Sequence, residues 1–165
     1  FSIDIKDCSH AISSEKWNFF QCDDTDYQKI ISRFPKLNQG IDLLYIDSYH
    51  DPDHVKRLLE RWYAYVKKDG YIYFDDTESY LYRVKKNRNI SIVNDAISNV
   101  VTNFYYSNYD DLIYVKYYGG AGLSEFIKVS KIGTKPNFKR IWGYNFIFAK
   151  CYLFLKSLKF KIFKS

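Results

Sequence analysis

The chain contains no Met, only three Cys and three His, and no acidic residue from position 131 to its end. With no Met, and with Phe1 opening it inside a strand-like run, the sequence reads as a fragment of a longer polypeptide, with an upstream segment expected. Cys8, Cys22 and Cys151 form neither an even set nor a metal-ligand spacing. That excludes a disulfide framework, gives zinc no support, and fits a reducing, cytoplasmic compartment. No segment resembles a signal peptide, and there is no internal repeat or low-complexity linker. The stretch from 141 to 155 carries a single charge over 15 residues. It is short of the roughly 20 residues needed to span a bilayer.

What remains is a 165-residue chain with 47% apolar residues and an aromatic excess of 17 Tyr and 13 Phe, enough for one domain with a real core. The net charge of +6 is unevenly placed. Residues 131–165 hold eight Lys and one Arg, which leaves 16 basic against 19 acidic side chains on residues 1–130. The chain therefore divides into an α/β domain, 1–130, and a basic aromatic tail, 131–165.

FSIDIKD and WNFFQCDD each read as a short strand ending in acids, at Asp4 and at Asp23 with Asp24. Between them SHAISSEK predicts a short helix capped by Ser9, and TDYQKIISRF spaces Tyr27, Ile30, Ile31 and Phe34 on a helical face. Residues 41–76 form the most informative unit. LLYI and YIYF are apolar runs suited to buried parallel strands, and they stop at Asp47 and at Asp75 with Asp76. The helix between them begins near Pro52, places Val55, Leu58, Leu59, Trp62, Tyr63 and Val66 on one face, and closes at KKDG. Such alternation predicts a mostly parallel sheet with right-handed crossovers. ISIVNDAISNVVTNF predicts a further helix over 90–104, and FYYSN, DLIYVKYY and SEFIKVSKI predict strands that pair antiparallel.

In an open α/β sheet, ligands bind beyond the carboxyl ends of the parallel strands. Asp47, Asp75, Asp76 and His50 are therefore expected to converge on one crevice. Strand-end Asp residues also cap helices, and His50 could be only a loop histidine, so chemistry and structure compete at each position. Asp75 and Asp76 are adjacent, and they point the same way only if the backbone turns between them. Pro52, between His50 and His54, argues against a histidine metal pair on one helix.

The ordered set YID, His50, KKDG and YIYFDD resembles class I S-adenosylmethionine-dependent methyltransferases, in particular the metal-dependent sugar O-methyltransferases of the macrocin type. The resemblance spans roughly residues 1–130 and implies a Rossmann-like methyltransferase sheet, truncated before its first strand and glycine-rich loop. It implies that Asp4 accepts hydrogen bonds from the cofactor ribose. Asp23 would face the adenine, with Asp24 as the alternative, and Asp47 would also border the cofactor. Asp47, Asp75 and Asp76 would hold a divalent cation, expected to be Mg²⁺, and His50 would be the base acting on a sugar or glycan hydroxyl. Tyr49 and the segment from Tyr80 to Tyr82 could line the acceptor. The other reading is a non-catalytic methyltransferase-like module.

The tail interleaves large apolar residues with Lys150, Lys156, Lys159, Lys161 and Lys164. From residue 135 onward it suits contact with an anionic membrane surface or a protein. Packing as a terminal helix would leave its lysines reaching outward. Nucleic acid is not expected as a partner, because the candidate crevice is acidic and the positive charge is confined to the tail.

Overall fold

The structure is a computed structural model that describes residues 1–138 and 144–162. In chain order its elements are β1 (Ser2–Asp4), β2 (Phe19–Gln21), α1 (Tyr27–Arg33), β3 (Ile41–Ile46), α2 (Pro52–Trp62), β4 (Val66–Asp75), α3 (Tyr80–Val84), α4 (Arg88–Ser107), β5 (Leu112–Tyr117), β6 (Leu123–Lys128) and α5 (Tyr144–Ile162). Lys164 of the basic tail lies outside the described residues.

The strands form two hydrogen-bonded groups among the described residues. β1 and β2 pair in parallel, and β3, β4, β6 and β5 make a four-stranded sheet in that order. Within it β3 runs parallel to β4, while β6 is antiparallel to both β4 and β5, so the expected antiparallel C-terminal strands are present. The fold is mixed α/β, as the alternation predicts. One continuous parallel sheet is not formed, because β1 has no ladder to β3.

Three local expectations need correction. No helix forms after Ser9: the chain runs from β1 to β2 through bends and turns. Ile12 is exposed there, and a short segment with no apolar stripe to bury cannot offset the cost of helix nucleation. Next, α2 stops at Trp62, and KKDG belongs to β4. The β3–β4 register jumps from Ile41 opposite Val66 to Leu43 opposite Tyr71, a bulge at which Asp69 takes φ 61°. Gly70 is needed in it, since a Cβ there would lie 2.9 Å from Val66 Cγ1 and 3.0 Å from the Ile41 carbonyl oxygen. Finally, most of FYYSN continues α4 instead of forming a strand. Phe104 is fully buried with its ring 5.3 Å from that of Tyr63, so tertiary packing overrides β propensity.

The start of α2 is the expected one. Asp51 caps it by accepting from the backbone N–H of Asp53 (2.8 Å) and of His54 (3.2 Å), with Pro52 as first helical residue. Val55, Leu58, Leu59 and Trp62 are buried on the inner face, joined by Ile72 and Phe74 of β4 and by Val101 and Phe104 of α4. That core fixes the carboxyl ends of β3 and β4 side by side.

Lys128 enters the same core. Its side chain is fully buried, and Nζ donates to the carbonyl oxygens of Tyr63 and Val66, both at 2.9 Å, where α2 has ended and β4 begins. Burial pushes its pKa down to about 8, from 10.5. The unfolded chain then binds more protons than the folded one between these values, so stability rises with pH across that window. The neutral amine still has N–H groups for both carbonyls. Chemical denaturation between pH 8 and 10 is expected to show a gain of up to about 1.4 kcal/mol per pH unit from this group. The gain is expected to vanish in Lys128→Met, and an unchanged pH slope in that variant would assign the dependence elsewhere.

Candidate active site

Two loops build the site. The first, Asp47 to Asp51, joins β3 to α2, and the second begins at Asp75 and Asp76 where β4 ends. Asp76 takes φ 54°, a left-handed conformation that costs a non-glycine residue energy and turns the chain sharply. The turn removes the alternation that would send adjacent Asp side chains to opposite faces. Asp75 accepts from the Tyr45 hydroxyl at 2.9 Å, and Asp76 Oδ2 lies 2.7 Å from His50 Nε2. Asp75 Oδ1 also accepts the Asp76 backbone N–H at 2.8 Å.

The loop after Asp76 is held from below. The Thr77 and Glu78 amides donate to the Gly122 and Ala121 carbonyls at 3.3 and 2.7 Å. Gly122 sits so close that a Cβ would approach the Glu78 backbone nitrogen to 2.6 Å. Ser124 Oγ donates to buried Thr77 Oγ1 at 2.9 Å. β6 thereby presses the carboxyl end of β4 into place.

The electrostatics follow from this crowding. The Asp76 hydrogen bond raises the His50 pKa above 6.5 against the opposing effect of burial, and the Asp76, Asp47 and Asp75 charges add to the rise. Tyr45 is pushed up to about 12, first by its hydrogen bond to Asp75 and then by burial and the same carboxylates. His50 and Tyr45 thus both lie in the field of the three strand-end acids.

Asp4 and Asp23 stand beside a neighbouring cavity of about 420 Å³, lined also by Ile3, Asp24, Asp47 and Tyr49. Asp4 Oδ1 accepts the Lys6 amide at 2.7 Å. Asp23 Oδ1 accepts the Thr25 hydroxyl (2.5 Å) and amide (2.8 Å), and these bonds hold its carboxyl below the usual range. A larger cavity of about 600 Å³ separates β1 from β3, and Asp4, Asp24 and Asp47 line this one too. Asp47 thus borders both spaces and lies within electrostatic reach of His50.

Asp24 has a different environment from Asp23. Its carboxylate accepts a short hydrogen bond from Ser48 Oγ and lies 2.9 Å from His54 Nε2, while its carbonyl accepts the Trp62 indole N–H at 3.0 Å. Ser48 Oγ is also 3.0 Å from His54 Nε2. Serine and aspartate meet the same ring nitrogen, so the three do not form a proton relay of the nucleophile, base and acid type. They clamp the ends of β2 and β3 to α2. Sequence spacing offered no signal for this Asp24–His54 contact, nor for Tyr45 as the partner of Asp75.

Asp47, Asp75 and Asp76 are not gathered into a ligand set. Among the described residues no group of three or more His, Cys, Asp or Glu side chains could hold a metal ion. Asp75 is turned toward Tyr45 and Asp76 toward His50, so the residues as placed do not fit the cation expected from the resemblance. Of the tyrosines expected near an acceptor, Tyr49 and Tyr80 are exposed. Burial, and then the Asp76 and Asp75 charges, raise the Tyr82 pKa.

Comparison with known proteins bears on the same region and beyond it. Residues 7–77 match the family model described as a methyltransferase domain. Comparison with the curated proteins gives no match. Among solved structures, a Corynebacterium glutamicum protein is similar at 14% identity and TM-score 0.53, over 79% of this chain and 61% of its own. The SAH-bound Podospora anserina methyltransferase PaMTH1 is similar at 11% identity and TM-score 0.51, over 73% of this chain and 52% of its own. The MycE methyltransferase of the mycinamycin biosynthetic pathway, solved with Mg, SAH and mycinamycin VI, is similar at 18% identity and TM-score 0.50, over 82% of this chain and 38% of its own. The chain thus spans less than two thirds of each of these relatives. At these identities the likeness establishes the fold, a methyltransferase-like α/β sheet. The fold expected from the resemblance over roughly residues 1–130 is the one these structures share.

Proposed function

We propose that the protein is an S-adenosylmethionine-dependent O-methyltransferase acting on a sugar or glycan hydroxyl. One observation carries this reading: the His50–Asp76 pair stands at the carboxyl ends of β3 and β4, next to the cavity bordered by Asp4, Asp23 and Asp47. The methyltransferase match over residues 7–77 and the SAH-bound neighbours support the cofactor. MycE, with its bound mycinamycin VI, supports the choice of acceptor.

In this reading the cavity holds the adenosyl part of the cofactor. A carboxylate at Asp4 suits ribose because its two oxygens match two adjacent hydroxyls. Asp23, already ionised at low pH by its Thr25 bonds, suits an amino group on adenine. Bound there, the cofactor would supply a methyl group on a sulfonium centre to the acceptor oxygen, whose hydroxyl proton must leave. Asp76 on Nε2 fixes the His50 tautomer with its proton on that nitrogen, so the Nδ1 lone pair is the one that takes the acceptor proton. No step is assigned to a divalent cation, because Asp47, Asp75 and Asp76 do not converge as ligands.

Calorimetric titration with S-adenosylhomocysteine tests the cofactor assignment. Saturable binding is expected, weakened about 10- to 100-fold by Asp4→Ala through loss of charge-assisted hydrogen bonds. Absence of binding by the unaltered protein would leave only the non-catalytic module. Equal affinity in Asp4→Ala would remove that residue from the cofactor site.

A further inference from the structure

β1 and β3 face each other across a gap that neither of them closes. Among the described residues β1 has a ladder to β2 alone and β3 to β4 alone, so the sheet is broken between two parallel pairs. Asp4 and Asp47, at the carboxyl ends of β1 and β3, border the same cavity of about 420 Å³, and Phe1 and Gly40, which precede the two strands, border the larger one of about 600 Å³. The strands therefore run the same way on either side of the break. The larger cavity is the break itself, walled by residues 1–4 on one side and 40–48 on the other.

Those walls are backbone edges. Successive residues of a strand turn their peptide groups to opposite sides. The Ser2 amide donates to the Asn18 carbonyl and the Cys22 amide to the Asp4 carbonyl, both at 2.9 Å, so Ser2 and Asp4 face β2. Ile3, between them, directs its own N–H and C=O into the gap. β3 presents its edge away from β4 to the same space. The floor is apolar, formed by buried Leu37 and by buried Leu58 and Trp62 of α2.

An occupant has to offer hydrogen-bonding groups on two opposite edges, run parallel to both walls and be apolar toward α2. A strand between two parallel neighbours meets all three conditions, and reads as a short continuous apolar run. A second copy of the chain does not: every described strand already has a partner on at least one edge, so it could satisfy one wall only. The similar structures are all longer than this chain, so further polypeptide accompanies the same fold in them.

We propose that the gap between β1 and β3 is the seat of one further strand, an apolar run of about five residues from polypeptide preceding Phe1, which joins the two ladders into a single sheet. Returning from the end of that strand to the start of β1 takes a crossover, which places the run at least about a dozen residues before Phe1. The inference does not rest on the catalytic reading, and it holds for an inactive module as well.

Amide hydrogen exchange followed by NMR on the whole polypeptide, with the residues encoded before Phe1, tests it. The Ile3 amide is expected to exchange within about a hundredfold of the amides of β4, which lies between two ladders, and to show nuclear Overhauser contacts to the upstream run. β3 is expected to contact the same run from its other side. An Ile3 amide exchanging faster than that limit would overturn the proposal. So would a protected Ile3 amide whose contacts come from β3 directly or from a second copy, and so would a reading frame with no apolar run of strand length at that distance. Exchange reads the backbone and S-adenosylhomocysteine titration reads the cofactor, so failure here and failure of the catalytic reading are told apart.

Discussion

Replacing His50 by alanine is expected to lower methyl transfer by about two to four orders of magnitude, the range associated with loss of a positioned general base. The melting temperature should stay close to that of the unaltered protein, because the His50 side chain is 36% exposed and lies on a loop. An intermediate variant sharpens the argument. Asp76 raises the His50 pKa, so a base working through the neutral imidazole has its acid limb above the ordinary histidine value. Asp76→Asn removes the largest cause of the rise, and the limb of the pH–rate profile should move to lower pH. The plateau should also drop, because an amide no longer enforces the Nε2–H tautomer. Activity in His50→Ala within a factor of a few of the original would end the role of His50. A pH profile unmoved in Asp76→Asn would detach the pair from catalysis even if His50 itself mattered.

The second large effect is on stability. Phe126 of β6 is fully buried, with ring centroids 5.4 Å from Phe74, 5.8 Å from Phe104 and 5.2 Å from Tyr114. It joins the sheet to α4 and lies one strand behind the end of β4. Phe126→Ala is expected to cost about 3–5 kcal/mol, from lost transfer energy and the cavity left in a core with rigid aromatic walls. For a chain of this size that corresponds to a fall in melting temperature of roughly 6–20 °C, read by circular dichroism. Phe126→Leu keeps more of the volume and should lose clearly less. A loss under about 1 kcal/mol in the alanine variant would mean that this cluster does not hold the sheet.

Much of the site was legible in residues 41–76. Apolar runs that stop at acids predict the ends of β3 and β4, and Pro52 predicts the start of α2, because both signals are local backbone chemistry. The nearness of His50 to Asp76 followed from the parallel pairing of those strands, whereas Asp75 is engaged by Tyr45. Other features depended on contacts between distant segments. Asp23 and Asp24 are equivalent in the sequence. Thr25 engages Asp23, whereas Asp24 is drawn to Ser48 and His54, which come from the following strand end and helix. KKDG carries the letters of a helix end, yet it became a bulge because β4 had to stay in register with β3. FYYSN carries the letters of a strand, yet it stayed helical because Phe104 and Tyr105 had an aromatic core to fill.

The sequence by itself determined the α/β class, the order of its central elements and the presence of acids with a histidine at neighbouring strand ends, since hydrophobic period and capping act over a few residues. Tertiary structure alone decided how those acids are partnered. The left-handed turn at Asp76 aims one carboxylate at His50 and leaves the other to Tyr45, and it stands where it does because β6 supports the loop through Gly122 and Ser124. Side-chain partners of this kind are set by backbone direction and by groups brought in from some 30 to 50 residues away, which no local pattern encodes.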